Sequence, residues 1–272
     1  MCSWCTPPER SVPMAWDSVQ VPDPARMRAV MTPGRMLRRR AAEAPFAVPY
    51  GALPGAPFAA TAACSYAELD RRARAVAARL GGALPPGSRV LLAYPPGPDF
   101  AGAFYGCLYA GMVAVPYALG EGRCADGVAA AVELVAPAAV LTASDGWSAL
   151  PVDRDRVPVL EADGTMVGGR PVLQLADRWR PVGILRGADA YRRYVPGAPG
   201  EASAGRMEPA FSHGDLLHVL SELQDACRIG VKDEEVGWIA SVHGVDDAVW
   251  RLLLPVHEGR VVWETRGPHG SE

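Results

Sequence analysis

SRVLLAYPPGPDFAGAFYGCLYAGMVAVPY, residues 88–117, is the stretch whose reading decides the fold. It begins with an apolar run at 90–94 and breaks at Pro95-Pro96-Gly97-Pro98. Apolar residues then recur at helical spacing, at Phe100, Ala103, Phe104, Cys107 and Leu108, before Gly111 and a second apolar run at 112–117. Short apolar runs bounded by turn residues read as buried strands, and the intervening 3–4 spacing reads as helix. Two parallel neighbours need a crossover between them, so strand, helix, strand is the grammar of an α/β protein with a mostly parallel sheet flanked by helices. Asp99 is placed to cap the helix by accepting from its orphan N–H groups, and Gly111 is a natural stop.

The flanking sequence extends this pattern. On the N-terminal side, Ser65-Tyr66-Ala67-Glu68 matches a capping box. Leu69, Ala73, Val76, Ala77 and Leu80 follow on one face, with Arg71, Arg72, Arg74 and Arg79 largely elsewhere. Residues 52–63 read as a Gly/Pro/Ala loop. The segment 25–45 reads as a helix in two pieces broken at Pro33-Gly34, and Arg38-Arg39-Arg40 reads as a solvated helix face in preference to a site for an anionic ligand. On the C-terminal side, 120–127 reads as a turn, Val128, Val132 and Val135 as a helix face, and 138–142 as a buried strand. Short strands are predicted at 157–160 and 172–175. Further on, Ser212 caps a helix lined by Leu216, Leu220, Leu223 and Cys227, and 234–240 is a strand. A helix from Asp246 or Asp247 to Leu254 and a short strand at 260–263 complete the pattern. Residues 1–22 form a loose leader, 23–264 the folded domain and 265–272 a polar tail.

Bulk properties exclude several classes. At 272 residues the chain can bury roughly three quarters of its unfolded surface, enough for one large domain or two small ones. A net charge of -3 offers no attraction to nucleic acid or an anionic membrane. No apolar run approaches the ~20 residues of a membrane span, and the N-terminus MCSWCTPPERSVP lacks a secretory core, so a cytoplasmic location is expected. The six cysteines are scattered, which favours reduced thiols, and Cys2-x-x-Cys5 has no second pair at zinc spacing. His213 and His218, five apart, share no helix face on which to chelate a metal. Basic residues are almost all arginine, with Lys232 the only lysine.

The letters themselves carry a resemblance. Tyr94-Pro95-Pro96-Gly97, Asp99-Phe100 and Gly106-Cys107-Leu108-Tyr109-Ala110-Gly111 closely resemble the early core of fatty acyl-AMP ligases, a branch of the adenylate-forming superfamily. SYAELDRRARAVAARL is also similar to adenylation-domain wording, and Asp177-Arg178-Trp179-Arg180-Pro181 resembles the segment that precedes the family's phosphate loop. The resemblance covers about residues 30–263 and implies the front part of the adenylate-forming N-terminal domain. In the family, that domain takes part in activating a fatty acid with ATP and magnesium and passing it to a carrier protein.

The family's phosphate loop is rich in Thr, Ser and Gly and carries a lysine. Amides must approach the phosphate oxygens closely, and the lysine offsets their charge. The matching stretch here, 194–205, keeps Tyr194, Gly197 and Gly200 as remnants of the ATP loop. Val195, Pro196, Ala198 and Pro199 stand at hydroxyl positions, Ser203 stands at the lysine position, and Glu201 adds negative charge. Each proline removes an N–H donor. Ser212-His213 falls about four residues too far downstream, and residues 195–210 read as a Gly/Pro surface loop.

Trp238 and His243 match the family's acyl-pocket landmark, together with the Leu253-Leu254-Pro255 frame, while Gly244 replaces the family's acid. His243 is read either as a pocket-lining relic or as a hydrogen-bonded structural histidine. The family's later motifs would lie beyond residue 272. The resemblance therefore implies a truncated, catalytically inactive ligase-like domain kept for binding an acyl carrier protein or a biosynthetic partner chain, or self-associating. Alternatives are one half of a split ligase and an active stand-alone ligase; ATP and magnesium are expected only on the active reading. No catalytic residue is assigned.

Overall fold

The computed structural model describes residues 31–49, 64–95, 97–119, 126–144, 150–197, 205–227, 236–238, 247–259 and 262–264. In chain order the helices are α1 (Pro33–Glu43), α2 (Tyr66–Gly81), α3 (Pro98–Ala110), α4 (Asp126–Val135), α5 (Val172–Ala176), α6 (His213–Cys227) and α7 (Asp247–Glu258). The strands are β1 (Arg89–Tyr94), β2 (Val113–Ala118), β3 (Ala139–Thr142), β4 (Val159–Glu161), β5 (Met166–Val167), β6 (Arg170–Pro171), β7 (Asp189–Val195), β8 (Arg206–Ser212), β9 (Val236–Trp238) and β10 (Val262–Glu264). Six strands form one sheet in the order β4-β3-β1-β2-β7-β8, parallel throughout except for the antiparallel pair β7 and β8. The predicted α/β class, with a mostly parallel sheet flanked by helices, is the observed one.

Residues 88–117 fold as the central unit. β1 lies between β2 and β3, with Leu91 opposite Val115 and Val140. Its side chains alternate between two cores. Val90, Leu92 and Tyr94 face α2 and α3, whereas Leu91 and Ala93 face α4 through Val128, Val132 and Val135. Every residue of α3 from Phe100 to Ala110 is buried, as befits a helix that is apolar nearly all round. α2 comes close to α3 because Gly106 has no side chain: a Cβ there would lie 2.5 Å from Val76. Pro116 is tolerated inside β2 because pairing with β7 is confined to Ala114 opposite Tyr191. The N–H groups of Val113 and Leu119 point to β1, so by alternation the missing donor of Pro116 points away from it.

Several expectations are corrected. α3 is capped by Gly97, with Pro98 in its first turn, and Asp99 accepts instead from Arg72 at 2.8 Å. The second of the two helical pieces expected around Pro33-Gly34 is present as α1, which Thr32 caps by accepting from the Arg35 N–H, whereas residues 25–30 of the first piece lie outside the described residues. Arg40 is not simply solvated, since it donates to the carbonyls of Val256 and His257 and ties α1 to α7. Residues 172–175 form helix α5 rather than a strand, with Val172, Leu175 and Ala176 buried at i, i+3 and i+4. A five-residue apolar run fits either period, and packing on α2 selects the helical one. α7 continues through Pro255 to Glu258, past the predicted end at Leu254.

The remaining predictions largely stand. Gly111 ends α3 at φ +70, and Ser65 accepts from the Glu68 N–H, although the Glu68 carboxylate turns to Arg71 and Arg72. Leu69, Ala73, Val76, Ala77 and Leu80 are all buried. Cys64 and Cys107 are buried free thiols. The leader at 1–22, the loop at 52–63, most of the turn at 120–127 and the tail at 265–272 lie outside the described residues, as does the side chain of Cys227.

Candidate functional site: the β7–β8 hairpin

The site is built on the last two strands of the main sheet. In β7, Ala190, Tyr191 and Tyr194 are buried. Tyr194 stands one residue before the strand's end, pairs with Met207 in β8, and lies 6.1 Å from the Tyr117 ring. The sequence reading of 195–210 as loop is therefore corrected. Val195 still belongs to β7, and 206–210 belong to β8. The signal was obscured by Pro209, which is acceptable because, among the described strands, β8 lies at the sheet edge and pairs with β7 alone.

The neck of the hairpin closes tightly at Gly205, which has φ +89. A Cβ there would sit 2.5 Å from the Val195 carbonyl oxygen and 3.0 Å from the Tyr194 hydroxyl. Gly205 thus accompanies Tyr194 and Gly197 at the neck. It went unassigned in the sequence, where its only sign is its place just before the run that becomes β8. Pro196 and Gly197 open the loop, and 198–204, including Gly200, Glu201 and Ser203, lie outside the described residues.

The hairpin's charges are already engaged. Glu208 faces both Arg193 and Arg206 at 3.4 Å, and its carbonyl accepts from Arg192. The first N–H groups of α6 are engaged as well. His213 donates its main-chain N–H to Ala188 O, Gly214 donates to Arg186 O, and Asp215 donates to the Ser212 hydroxyl, while the Asp215 carboxylate accepts from the Ser212 N–H. This capping box holds the Asp215 carboxyl below the usual range through its bonds from Ser212. His213 is buried, and burial pushes its imidazole down to about 4, so it is neutral at pH 7. Neither ring nitrogen has a hydrogen-bond partner among the described residues. His218 is exposed and pairs with Glu222 on its own helix, and no cluster able to hold a metal is present among the described residues.

The acyl-side candidates are only partly placed. Trp238 ends β9, opposite Glu264 in β10, with its side chain outside the description, and His243 lies outside the described residues. An unpredicted feature links this part of the chain to the core. Phe104, Tyr191, Phe211 and Trp250 form a run of neighbouring rings 5.6 to 6.4 Å apart, from α3 through β7 and β8 to α7.

Comparison with known proteins places this arrangement. The family described as AMP-binding enzyme matches residues 41–181, more than half of the chain, and the chain belongs to that family. Its fold is that of the front portion of the adenylate-forming N-terminal domain. The fatty acyl-adenylate ligase from L. pneumophila, solved with acyl adenylate and pyrophosphate, superposes with a TM-score of 0.67 at 24% identity, covering 86% of this chain and 39% of that one. A nonribosomal peptide synthetase, FmoA3, superposes with a TM-score of 0.65 at 20% identity, over 89% of this chain and 23% of that one. The medium-chain-fatty-acid--[acyl-carrier-protein] ligase JamA of Moorena producens (strain JHB) is 26% identical over 72% of this chain and 33% of its own length. Disco-interacting protein 2 homolog A of Homo sapiens is 44% identical over 88 residues, 30% of this chain and 6% of that protein. The chain thus spans about a third of JamA and a far smaller share of the Disco-interacting protein. Among the described residues, no helix is long and apolar enough to cross a membrane.

Proposed function

We propose that this chain is a fatty acyl-AMP ligase-like domain that does not hold ATP in its β7–β8 loop, and that it acts as a binding unit for an acyl carrier protein or a biosynthetic partner chain. The observation that carries this reading is the composition of the loop from Tyr194 to Gly205. Its two prolines remove donors, Ser203 stands where the family has lysine, and Glu201 adds an acid. The occupied N-terminal donors of α6 and the pairing of Arg193 and Arg206 with Glu208 support it. A hydrogen bond to a charged oxygen is worth about 1.5–3 kcal/mol, so losing four or five approaches or exceeds the roughly 8 kcal/mol of micromolar binding. Location in the cytoplasm is part of the proposal, supported by the free buried thiols of Cys64 and Cys107.

The test is calorimetric titration of the whole chain with ATP and magnesium, paired with pyrophosphate exchange over several fatty acids. No heat of binding up to 1 mM ATP (about 4 kcal/mol of affinity) and no exchange are expected. Micromolar affinity or acid-dependent exchange would establish an active ligase instead. A second reading, half of a split ligase, is favoured by β8, which has β7 as its only strand neighbour among the described residues. An unpaired sheet edge is a template for another chain. Copurification of a chain carrying the family's remaining motifs, with acid-dependent pyrophosphate release in the mixture, distinguishes that reading.

A further inference from the structure

A cavity of about 420 Å³ opens where α2 ends, beside Pro86 ahead of β1 and Ala110 at the end of α3. β1, β2 and β7 run parallel, so this is the amino end of the sheet, whereas Tyr194 and Gly197 lie at its carboxyl end. Strands of six or seven residues separate the two ends by about 20 Å. Arg79, Arg170, Arg178 and Arg180 line the cavity, and none of its lining residues is acidic. Ala77, Leu84, Ala110 and Leu175 give it an apolar floor.

This charge pattern is unlike the rest of α2. Arg71 and Arg72 pair with Glu68, and Arg74 pairs with Asp70. Arg79 instead has a buried Nε with no hydrogen-bond partner among the described residues. The turn at Gly168, with φ +53, makes room for it, because a Cβ there would lie 2.8 Å from that Nε. Arg180 is held in place by donating to the carbonyls of Asp177 and Trp179, and Arg170 and Arg178 are exposed. A cation near the C-terminus of α2 suits the helix dipole and accounts for one arginine. It does not account for four around a concave surface in a chain of net charge -3.

We propose that this cavity binds a free small molecule consisting of a phosphate monoester with an apolar arm. Guanidinium groups match phosphate oxygens in fixed fork geometry, and a monoester carries about −1.5 to −2 charges and three acceptor oxygens at neutral pH. A carboxylate offers two oxygens and one charge to the same four cations. The apolar floor takes the arm, and the volume falls within the roughly 300–1,000 Å³ of small-molecule sites. The assignment is independent of whether the hairpin loop holds ATP.

The test is calorimetric titration of the whole chain with octyl phosphate, inorganic phosphate and octanoate, each against the wild type and the R170Q/R178Q double variant. Both substituted side chains are exposed, so the melting temperature of the ligand-free variant should be unchanged. Octyl phosphate should bind at least tenfold more tightly than either other probe, and the double variant should weaken it at least tenfold. No binding of octyl phosphate at millimolar concentration, equal affinity for inorganic phosphate or octanoate, or affinity indifferent to R170Q/R178Q would each overturn the proposal. So would retention on phosphatidic acid vesicles without binding of octyl phosphate in solution, which would mean a lipid surface rather than a free ligand.

Discussion

Two strands of the main sheet, β1 and β7, end in nearly the same way and lead to different structures. β1 ends at Tyr94 and is followed by Pro95-Pro96-Gly97-Pro98; β7 carries Tyr194 next to its end and is followed by Pro196-Gly197-Ala198-Pro199-Gly200. Both tyrosines are buried, Tyr94 donating its hydroxyl to the Ala162 carbonyl and Tyr194 packing beside Tyr117. After β1 the chain enters α3 at once, with Gly97 as cap and Pro98 in the first turn. After β7 it travels to Gly205 and returns as an antiparallel strand. Proline and glycine stop a strand in both cases, but the residues downstream of the break set the next element. Phe100, Phe104 and Leu108 bring apolar surface that only a buried helix satisfies, whereas the residues after Gly197 bring no apolar side chain larger than alanine or proline until Met207.

The contrast predicts where substitutions hurt most. Phe104 is fully buried in α3, so Phe104→Ala should cost about 3–5 kcal/mol in urea unfolding. A loss under 1 kcal/mol would mean the central unit is not the stability core. Next comes pH. The unfolded chain binds a proton at a histidine of ordinary value near 6.5, while folded His213 does so only near 4. The unfolded state therefore holds more protons across that window. Stability should be unaffected by this group above pH 6.5, fall as pH drops through the window, and level off below about 4, for about 3 kcal/mol in all. His213→Gln should flatten the slope between pH 6.5 and 4.5 in urea titrations; an unchanged slope would place the titrating group elsewhere.

Smaller effects sharpen the same comparison. Gly106→Ala forces a methyl into the Val76 side chain and should lower stability by about 1–3 kcal/mol, read as a shifted urea midpoint. At the other end, Ser212→Ala removes the acceptor for the Asp215 N–H at the start of α6 and should cost about 1 kcal/mol. If Ser212→Ala proved the more damaging of the two, the hairpin end would outrank the central unit and the comparison would be reversed.

The legible parts of this protein were those in which one local pattern had one outcome. The period of α2, the apolar run of β1 and the glycine stop of α3 each depend on near neighbours along the chain, and each matches the structure. The illegible parts had two outcomes of similar local cost. Residues 172–176 fit either a strand or a turn of helix, Asp99 could cap α3 or pair with Arg72, and Arg40 could face water or bridge to α7. The choice in each case came from a partner distant in sequence, which no local reading can supply.

The candidate site divides along the same line. The groups its loop offers are readable in the letters, because each of its two prolines lacks an N–H to donate in whatever shape the loop takes. Its setting is not. That Gly205 closes the neck, that Arg186 and Ala188 occupy the first N–H groups of α6, and that arginines from α2, β6 and the segment after α5 surround one cavity are all results of packing. Sequence by itself determined which groups the chain has to offer and the periods that build its sheet. Tertiary structure alone decided which groups meet, because close approach and burial depend on elements brought together from far along the chain.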